Sequence, residues 1–516
     1  MKEKFYITTS IAYANAGPHI GFAYEVLLAD IIARYRRMRG LDTFFLTGTD
    51  EHGDKILRAA KERGLAPQVF VDENVRKFEE LNQALRISYD YFIRTSDKKN
   101  HWPGAQMLWQ KLLASGDLYK GTYKGLYCVG CEAFITEKEL VDGKCPNHGT
   151  VPETIEEENY FFRLSKYAPQ IKAMIESGEL KVTPEARGHE ILMLLKEDVQ
   201  DVSFSRPERD VLWGIPVPND QKQMMYVWCD ALSNYVSALG YGRKDDEQFE
   251  KFWPANIHLI GKDILRFHAV IWPAMLLSAG LPLPKEILVH GFITSQGKKM
   301  SKSIGNVIDP QEYITEFGSE TLRYFLAREM SPTEDGDFTR EAFIAAYNAN
   351  LANGLGNLVS RTLKMATQYF NGVIPEQAGE NVPLKKKWET VLGAGEIEDF
   401  SIPYMIHNII LPRYFAKMDN NEINLAADVT WKLIGYLDGY ITDYEPFKLV
   451  KTDTAKTQNI IWNLLYGLYY VASMIDPLMP QTAERIVGLL GTTVDKQGKP
   501  RSFKTNPIAE PMFKRV

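Results

Sequence analysis

Two separated stretches of the sequence carry residue types that can bind phosphate groups. The first, Gly17-Pro-His-Ile-Gly-Phe22, lies between an alternating apolar and polar run and a helical pattern. His19 can donate to a phosphate oxygen there, and Gly21 lets a flat ring approach the backbone. The second, Gly297-Lys-Lys-Met-Ser-Lys-Ser303, offers lysine charges for pyrophosphate on a short loop. Alone, the two stretches would be a turn and a solvated basic loop. Together they indicate a triphosphate clamp.

Three of the four cysteines lie close together, and a histidine follows them. Cys128-x2-Cys131 and Cys145-x2-His148 are separated by thirteen residues, and each pair puts two ligands on one tight turn. Two such turns close a tetrahedron of three thiolates and one imidazole, the geometry of a structural zinc site. A redox role for the first pair would leave the second unexplained. We therefore expect one Zn²⁺ ion rather than free cysteines in a loop.

The two phosphate-binding stretches resemble the HIGH and KMSKS signatures of class I aminoacyl-tRNA synthetases. In order, spacing and flanking residues the chain most resembles the methionyl-tRNA synthetases, over essentially its whole length and with one zinc knuckle. One position departs from the signature, since the family has histidine where this chain has Phe22.

The resemblance implies that methionine and ATP give methionyl-adenylate and pyrophosphate. The methionyl group then passes to methionine tRNA, both elongator and initiator, for translation. The implied charge donors in catalysis are His19, Lys299 and Lys302, with Mg²⁺ accompanying ATP. The implied ATP-binding residues are His19, Gly21, Phe22, Gly261, Asp263, Lys299, Ser301 and Lys302.

A second set of residues is suited to an amino acid substrate. Asp50 follows a short apolar strand pattern and could accept an ammonium group or cap the next helix. Asp263 has the same two interpretations, with a ribose hydroxyl as its ligand. His268 is suited either to a pocket or to a satisfied position in the core. By resemblance, the methionine-binding residues are Ile11, Tyr13, Asp50, Trp228, Ala231, Tyr235, Ile264 and His268.

The spacing of Trp228, Ala231 and Tyr235 puts them on one helical face, which is more often a core face than a pocket wall. The resemblance favours the pocket, where aromatic rings suit an unbranched thioether. Cys229, between them, is predicted to be a small buried apolar residue.

A third set concerns nucleic acid. Asn357 and Arg361 are four residues apart on a helical pattern, so their donors share a face and suit a splayed cytosine edge. From the residues alone, ordinary surface polarity is the simpler interpretation. The resemblance instead assigns Asn357, Arg361 and Phe447 to the tRNA anticodon, with phenylalanine where the family typically has tryptophan.

The sequence also predicts the strands, helices and domains that position these residues. Lys4–Ser10 is predicted as a strand and the residues after Phe22 as a helix, while residues 54–114 look mostly helical. The fold class is α/β: a Rossmann-like doubly wound parallel sheet with a zinc-binding insertion, then an α-helical bundle that binds the anticodon. The predicted parts are 1–116 and 224–290 (catalytic halves), 117–223 (insertion), 291–345 (lysine-loop module) and 346–516 (helical domain).

Composition limits the alternatives. The 516 residues carry a net charge of -6, so any nucleic-acid contact must use local basic patches, and four cysteines argue against a disulfide scaffold. Thr8–Ser10 is too polar for a signal peptide core, and no run of 18 apolar residues occurs. We expect a cytoplasmic monomer.

Two other functions remain open. Phe22, Gly439 and Phe447 would suit a catalytically weak paralogue that binds tRNA. Leu232 and Ala12, where the family often has proline, would suit a class I synthetase for another apolar amino acid.

Overall fold

The computed structural model describes residues 2–129, 133–135, 137–147, 149–208, 213–300, 306–376, 382–385 and 400–516. The chain divides into two units, Met1–Phe292 and Ile293–Val516. No helix in the described ranges is both long and apolar enough to cross a membrane.

The strands of the first unit alternate with helices in its catalytic part. The strands are β1 (Lys4–Thr9), β2 (Ala12–Tyr13), β3 (Asp42–Asp50), β4 (Tyr91–Arg94), β5 (Leu118–Cys128), β6 (Ala133–Ile135), β7 (Glu153–Phe162), β8 (Lys181–Thr183), β9 (Val202–Ser203), β10 (Ser205–Pro207), β11 (Pro216–Val217), β12 (Asp220–Met225), β13 (Ile257–Gly261) and β14 (Glu286–His290). The α-helices are α1 (Ile20–Met38), α2 (Asp54–Glu62), α3 (Pro67–Ala84), α4 (Trp102–Ala114), α5 (Leu164–Ser177), α6 (Glu185–Leu194), α7 (Val227–Leu232), α8 (Asn234–Ser237), α9 (Glu247–Phe252) and α10 (Trp272–Ala279). Short 3₁₀ turns at Glu137–Glu139 and Lys262–Ile264 and a π-helical turn at Phe267–Ile271 complete the unit.

The main sheet has seven strands, and every neighbouring pair is parallel, as the sequence predicts. The order is β2-β3-β1-β13-β14-β8, and β4 also pairs with β3. The chain moves from β1 to β3 in one direction, and β13 later adds to the other edge of β1. Strand order therefore reverses next to β1, and ligands of open α/β sheets bind at the carboxyl ends of strands at such a point.

The sheet is buried because its strands are apolar on both faces. Tyr6 and Ile7 of β1 and Ile260 of β13 are fully buried, as expected when helices cover both sides of a parallel sheet. The strand β4 was not predicted. It lies in the stretch expected to be mostly helical, and it is only four residues long.

Residues 117–223 form separate antiparallel sheets and also contribute to the main one. The orders of the antiparallel sheets are β6-β5-β7-β9 and β10-β12-β11. The predicted strand Tyr119–Tyr127 is confirmed as the centre of β5. By contrast, β8 pairs with β14 at the edge of the main sheet.

The second unit is mostly helical. A three-stranded sheet joins Ile293–Ser295, Lys298–Lys299 and Gly336–Asp337. Its α-helices are Pro310–Phe317, Ser319–Arg328, Arg340–Ala346, Asn357–Phe370, Ile402–Met405, Leu411–Asp419, Ile423–Tyr444, Pro446–Leu449, Thr454–Ile475 and Pro480–Leu490, with π-helical turns at Tyr347–Gly356 and Ile406–Ile410. The structure adds a second small sheet, Val373–Ile374, Thr492–Val494 and Pro500–Lys504, to the predicted bundle.

Candidate active site

The predicted turn before the first helix is confirmed. His19 is the N-cap of α1, and its Nδ1 accepts a hydrogen bond from the Gly21 backbone N–H over 3.0 Å. Because Nδ1 accepts, the proton of the neutral ring is on Nε2, which is therefore a donor. A Cβ on Gly21 would come within 2.8 Å of His19 Cε1, so this cap requires glycine. The arrangement offers a hydrogen-bond donor at the positive end of a helix, where anions bind.

Phe22, the departure from the family signature, packs against an aromatic neighbour. Its ring lies 4.8 Å from the ring of Phe78 on α3, edge to face at 88°. Such a pair stabilises the contact by about 0.5–1.5 kcal/mol beyond the buried area. The ring of Phe22 is therefore fitted to its own surroundings.

The ends of β13 and β14 bring together Gly261, Asp263 and His290. Gly261 pairs with His290 in parallel register. A Cβ on Gly261 would lie 2.8 Å from Asp263 Oδ1 and 3.6 Å from His290 Nε2. No side chain caps the 3₁₀ turn that starts after Gly261, and Asp263 is exposed. The helix-cap interpretation of Asp263 is therefore wrong, and its carboxylate is accessible at the carboxyl end of the sheet.

An ion pair that the sequence did not predict joins the carboxyl end of β14 to α1. Glu25 accepts from the Ser10 backbone N–H at 2.7 Å and hydroxyl at 2.6 Å, and His290 Nε2 lies 2.9 Å from its other oxygen. His290 Nδ1 donates to the Gly291 carbonyl over 2.7 Å. Burial alone would lower the pKa of His290, but the hydrogen bond and charge of Glu25 outweigh it and raise that pKa. Glu25, one of two carboxylates in the otherwise apolar first three turns of α1, was the available signal for a buried partner.

Asp50 is the last residue of β3 and is only 8% exposed. It pairs in register with Tyr13 of β2, so these two predicted pocket residues are neighbours. The N-cap of α2 is Gly53, so the helix-cap interpretation of Asp50 is wrong as well. The next residue, Glu51, is fully buried and accepts two hydrogen bonds from Arg94 at 2.7 and 2.8 Å. This bidentate pair anchors the end of β3 to β4.

The three residues predicted to form the aromatic wall do not lie on a single helix. Trp228 and Ala231 lie on α7 and Tyr235 on α8, and the break falls at Ser233, whose hydroxyl donates to the Asp230 carbonyl over 2.6 Å. Trp228 is half-buried and stacks on Phe267, with ring centroids 3.6 Å apart and planes within 9°.

His268 lies beside this wall and is fully satisfied. Its Nδ1 donates to the Ile264 carbonyl over 3.0 Å, so its Nε2 accepts from the Tyr235 hydroxyl over 2.7 Å. Burial lowers the pKa of His268 to about 4, which keeps the ring neutral at neutral pH. Ile11, Tyr13 and Ile264 are half-buried and pack against the same core cluster. The wall therefore presents apolar and uncharged groups.

The cysteines divide into two environments. Cys128 and Cys145 are both buried and both lie by Thr150: Cys128 Sγ is 4.0 Å from its hydroxyl, and the Cys145 N–H donates to its carbonyl over 2.9 Å. Cys131 and His148, the other predicted zinc ligands, lie outside the described residues. Among the residues that are described, no group of three potential metal ligands occurs. Cys229 is buried, and burial raises the pKa of its thiol, as expected for an unreactive core residue.

The remaining predicted residues belong to the second unit. Lys299 lies in the two-residue strand that pairs with Ile293–Ser295, while Ser301 and Lys302 lie outside the described residues. Asn357 is exposed at the start of Asn357–Phe370, and Arg361 donates to Asp438 over 2.6 Å. The side chain of Phe447 is 44% exposed.

Comparison with known proteins gives consistent matches. The family model described as tRNA synthetases class I (M) matches residues 5–150 and 147–363. A methionine--tRNA ligase of Clostridium acetobutylicum is 44% identical over 501 residues, covering 96% of this chain and 74% of the relative. One from Brucella melitensis is 41% identical over 525 residues, covering 100% of this chain and 98% of the relative.

Solved structures match the whole fold. Mycobacterium tuberculosis methionyl-tRNA synthetase in complex with methionyl-adenylate is similar with a TM-score of 0.90 and 36% identity, covering 99% of this chain and 100% of that one. Its ligand-free form is similar with a TM-score of 0.85 and 33% identity, covering 100% and 99%.

Proposed function

Because the chain belongs to the methionine--tRNA ligase family of class I aminoacyl-tRNA synthetases, we propose that it activates L-methionine with ATP and charges methionine tRNA. Both elongator and initiator tRNAs are the acceptors. The observation that carries the proposal is the end-to-end similarity to a synthetase structure in complex with methionyl-adenylate. The reaction belongs to translation, and we propose that it runs in the cytoplasm on a monomer.

In the first step a carboxylate oxygen of methionine attacks the α-phosphorus of ATP, and the bond from that phosphorus to pyrophosphate breaks. No side chain need act as a nucleophile, because catalysis consists of positioning the substrates and stabilising the charge that grows on pyrophosphate. We assign this stabilisation to His19 Nε2–H and to Lys299 and Lys302, with Mg²⁺ bound alongside ATP. Gly21, Phe22, Gly261, Asp263 and Ser301 complete the ATP site, and Asp263 accepts from a ribose hydroxyl.

The amino acid lies between two groups of residues in this proposal. Asp50, buried at the end of β3, accepts the substrate ammonium. Trp228, Ala231 and Tyr235, with Ile11, Tyr13, Ile264 and His268, surround the thioether. A neutral His268 supports this assignment, because its ring then brings no charge to the wall.

For tRNA, we assign anticodon recognition to Asn357, Arg361 and Phe447. The exposure of Asn357 and Phe447 supports that role, since a splayed base needs an accessible donor and an accessible ring face. The ion pair with Asp438 holds the Arg361 guanidinium in a defined orientation.

We also propose one structural Zn²⁺ ion held by Cys128, Cys131, Cys145 and His148. The two described cysteines are buried and each contacts Thr150, which supports this assignment. A four-ligand zinc site of this kind stabilises the fold around it and takes no part in the reaction.

The test of the function is ATP–pyrophosphate exchange with each of the twenty amino acids and no tRNA. We expect exchange with methionine and none with the other amino acids. Exchange with a different apolar amino acid would show that this amino acid, and not methionine, is the substrate. No exchange with any amino acid, from folded zinc-replete protein, would favour a tRNA-binding paralogue.

Replacing Phe22 by histidine should raise kcat of methionine-dependent exchange, because it restores a second imidazole donor beside the phosphates. The substitution also removes the ring contact with Phe78, so the free energy of unfolding should fall by about 1 kcal/mol. The matched control is Phe78→Leu, which removes the same ring contact without adding a donor and should not raise kcat. An unchanged or lower kcat in Phe22→His would show that phenylalanine is the better residue in this pocket.

A further inference from the structure

Asp230 is a fully buried carboxylate held between two buried imidazoles. Its Oδ2 lies 2.6 Å from His52 Nδ1, and its Oδ1 lies 2.7 Å from His101 Nε2. The other nitrogen of His101, Nδ1, is 2.8 Å from the Ser237 hydroxyl. The side chains of His52, Asp230 and His101 are at most 2% exposed. We call these three residues the His-Asp-His bridge.

The bridge buries a carboxylate away from water, which has an energetic cost. Burial alone would raise the pKa of Asp230, but the charges and hydrogen bonds of His52 and His101 outweigh it and lower that pKa. Replacing a buried ionic group by apolar residues of similar volume often leaves a protein equally stable or more stable. Stability of the fold alone therefore does not account for the bridge.

The bridge joins the two sides of the amino acid site. His52 follows Asp50, the ammonium acceptor, by two residues on the segment that ends β3. Asp230 lies on α7 between Trp228 and Ala231. At 100° per residue, the Asp230 side chain lies roughly opposite the face of α7 that these two residues share.

The His52 end of the bridge is itself held in place. Its backbone carbonyl accepts from the Tyr13 hydroxyl over 3.0 Å. Its ring lies 5.4 Å from the ring of Trp213, edge to face. At the other end, His101 immediately precedes α4, and Ser237 ends α8. The bridge therefore connects the segment after β3 to three helices, and two of them, α7 and α8, carry the predicted pocket wall.

We propose that the His-Asp-His bridge sets the separation between the ammonium acceptor Asp50 and the thioether wall formed by Trp228 and Ala231. Its members are positioning residues that touch no substrate. The inference rests on the proposed function, since it concerns how methionine is held. It goes further because it assigns the spacing between the sites for the amine and for the thioether to three residues outside the pocket.

The main test is Asp230→Asn, assayed by ATP–pyrophosphate exchange. A displacement near 1 Å can reduce a rate by about 100-fold, so we expect kcat/KM for methionine to fall by about 10- to 100-fold, chiefly through a higher KM for methionine. The KM for ATP should stay within about twofold, because the bridge does not reach Gly261 or His290. A loss of folded enzyme would instead lower the apparent kcat and leave both KM values unchanged.

An analogue without the amine separates positioning from damage to the pocket. 4-(Methylsulfanyl)butanoate presents the thioether and carboxylate but no ammonium, so it does not depend on Asp50. Its inhibition constant should be the same for wild type and Asp230→Asn, while the KM for methionine differs. Equal weakening of methionine and the analogue would overturn the proposal, because the bridge would then support the pocket as a whole.

Two further variants keep the test usable if Asp230→Asn does not fold. His52→Asn keeps an N–H donor at the position of Nδ1 and should retain most of the methionine affinity, while His52→Ala should lose it. Asp117→Asn is the control: Asp117 is also a buried carboxylate, with Lys166, Tyr167, Ser115 and Ser278 as its partners. It should leave the KM for methionine unchanged.

Wild-type protein distinguishes failure of the inference from failure of the function. Methionine-dependent exchange by wild type tests the function alone. Given that activity, an unchanged KM for methionine in folded Asp230→Asn or His52→Ala would overturn the inference and leave the function intact.

Discussion

Replacing Asp50 by asparagine should lower kcat/KM for methionine in pyrophosphate exchange by about 10²–10³-fold, the largest effect we expect from one substitution in the amino acid site. The side chain keeps its shape and loses its charge. Asp50 is nearly buried, so water screens its attraction for an ammonium only weakly. Removing one partner of such a charge pair typically costs about 2–5 kcal/mol, or about 30- to 5,000-fold in rate, a range that includes this loss.

The matched control for Asp50→Asn is Asp54→Asn, the same change of charge four residues further on. Asp54 lies in the first turn of α2 and pairs with Arg58 over 2.6 Å. Its replacement should leave kcat/KM within about twofold, because exposed and half-exposed ion pairs contribute little. The KM for ATP should be unchanged in both variants. Full activity of Asp50→Asn would mean that another group binds the amine.

The parts of the site that were predictable are those whose signal is local. The turn at His19 was predicted because an alternating run, Gly-Pro and a helical pattern meet within a few residues, and α1 indeed begins at Ile20. Asp50 was correctly located at the end of a strand for the same reason, since the short apolar pattern before it lies within β3. A periodic pattern shows which face of a segment is buried, and it depends only on residues that are close together in the sequence.

The contacts that sequence reasoning missed join residues far apart in the chain. His52 and His101 are 178 and 129 positions from Asp230, and Glu25 is 265 positions from His290. No periodicity connects such residues, because their proximity follows from strand order in the sheet. Asp230, the single charge in the mostly apolar stretch Tyr226–Tyr235, was the one available indication of a buried partner.

Helix breaks and short strands were the other limit. The i, i+3, i+7 spacing of Trp228, Ala231 and Tyr235 suggested one helix, but the hydroxyl of Ser233 bonds to the Asp230 carbonyl where the helix is interrupted. Serine competes with the backbone in this way, and propensity alone does not show when it succeeds. The contact between Arg361 and Asp438 could not be predicted either, since the two residues lie on different helices.

Replacing His19 by asparagine should lower kcat of methionine-dependent exchange by about 10²–10³-fold while leaving the free energy of unfolding unchanged. The imidazole has one role in the structure and a second in the proposed mechanism. Its Nδ1 caps α1 by accepting from the Gly21 N–H, and its Nε2–H is the proposed donor to the phosphates. Asparagine is among the best N-cap residues, so it keeps the first role and loses the second.

The companion variant is His19→Ala, which loses both the cap and the donor. It should show the same loss of kcat and, in addition, a fall of about 1 kcal/mol in the free energy of unfolding, measured by urea denaturation. The difference between the two variants thus separates the cost of the cap from the contribution of the donor. An asparagine variant with wild-type kcat would limit His19 to capping the helix and would assign charge stabilisation on this side to another group.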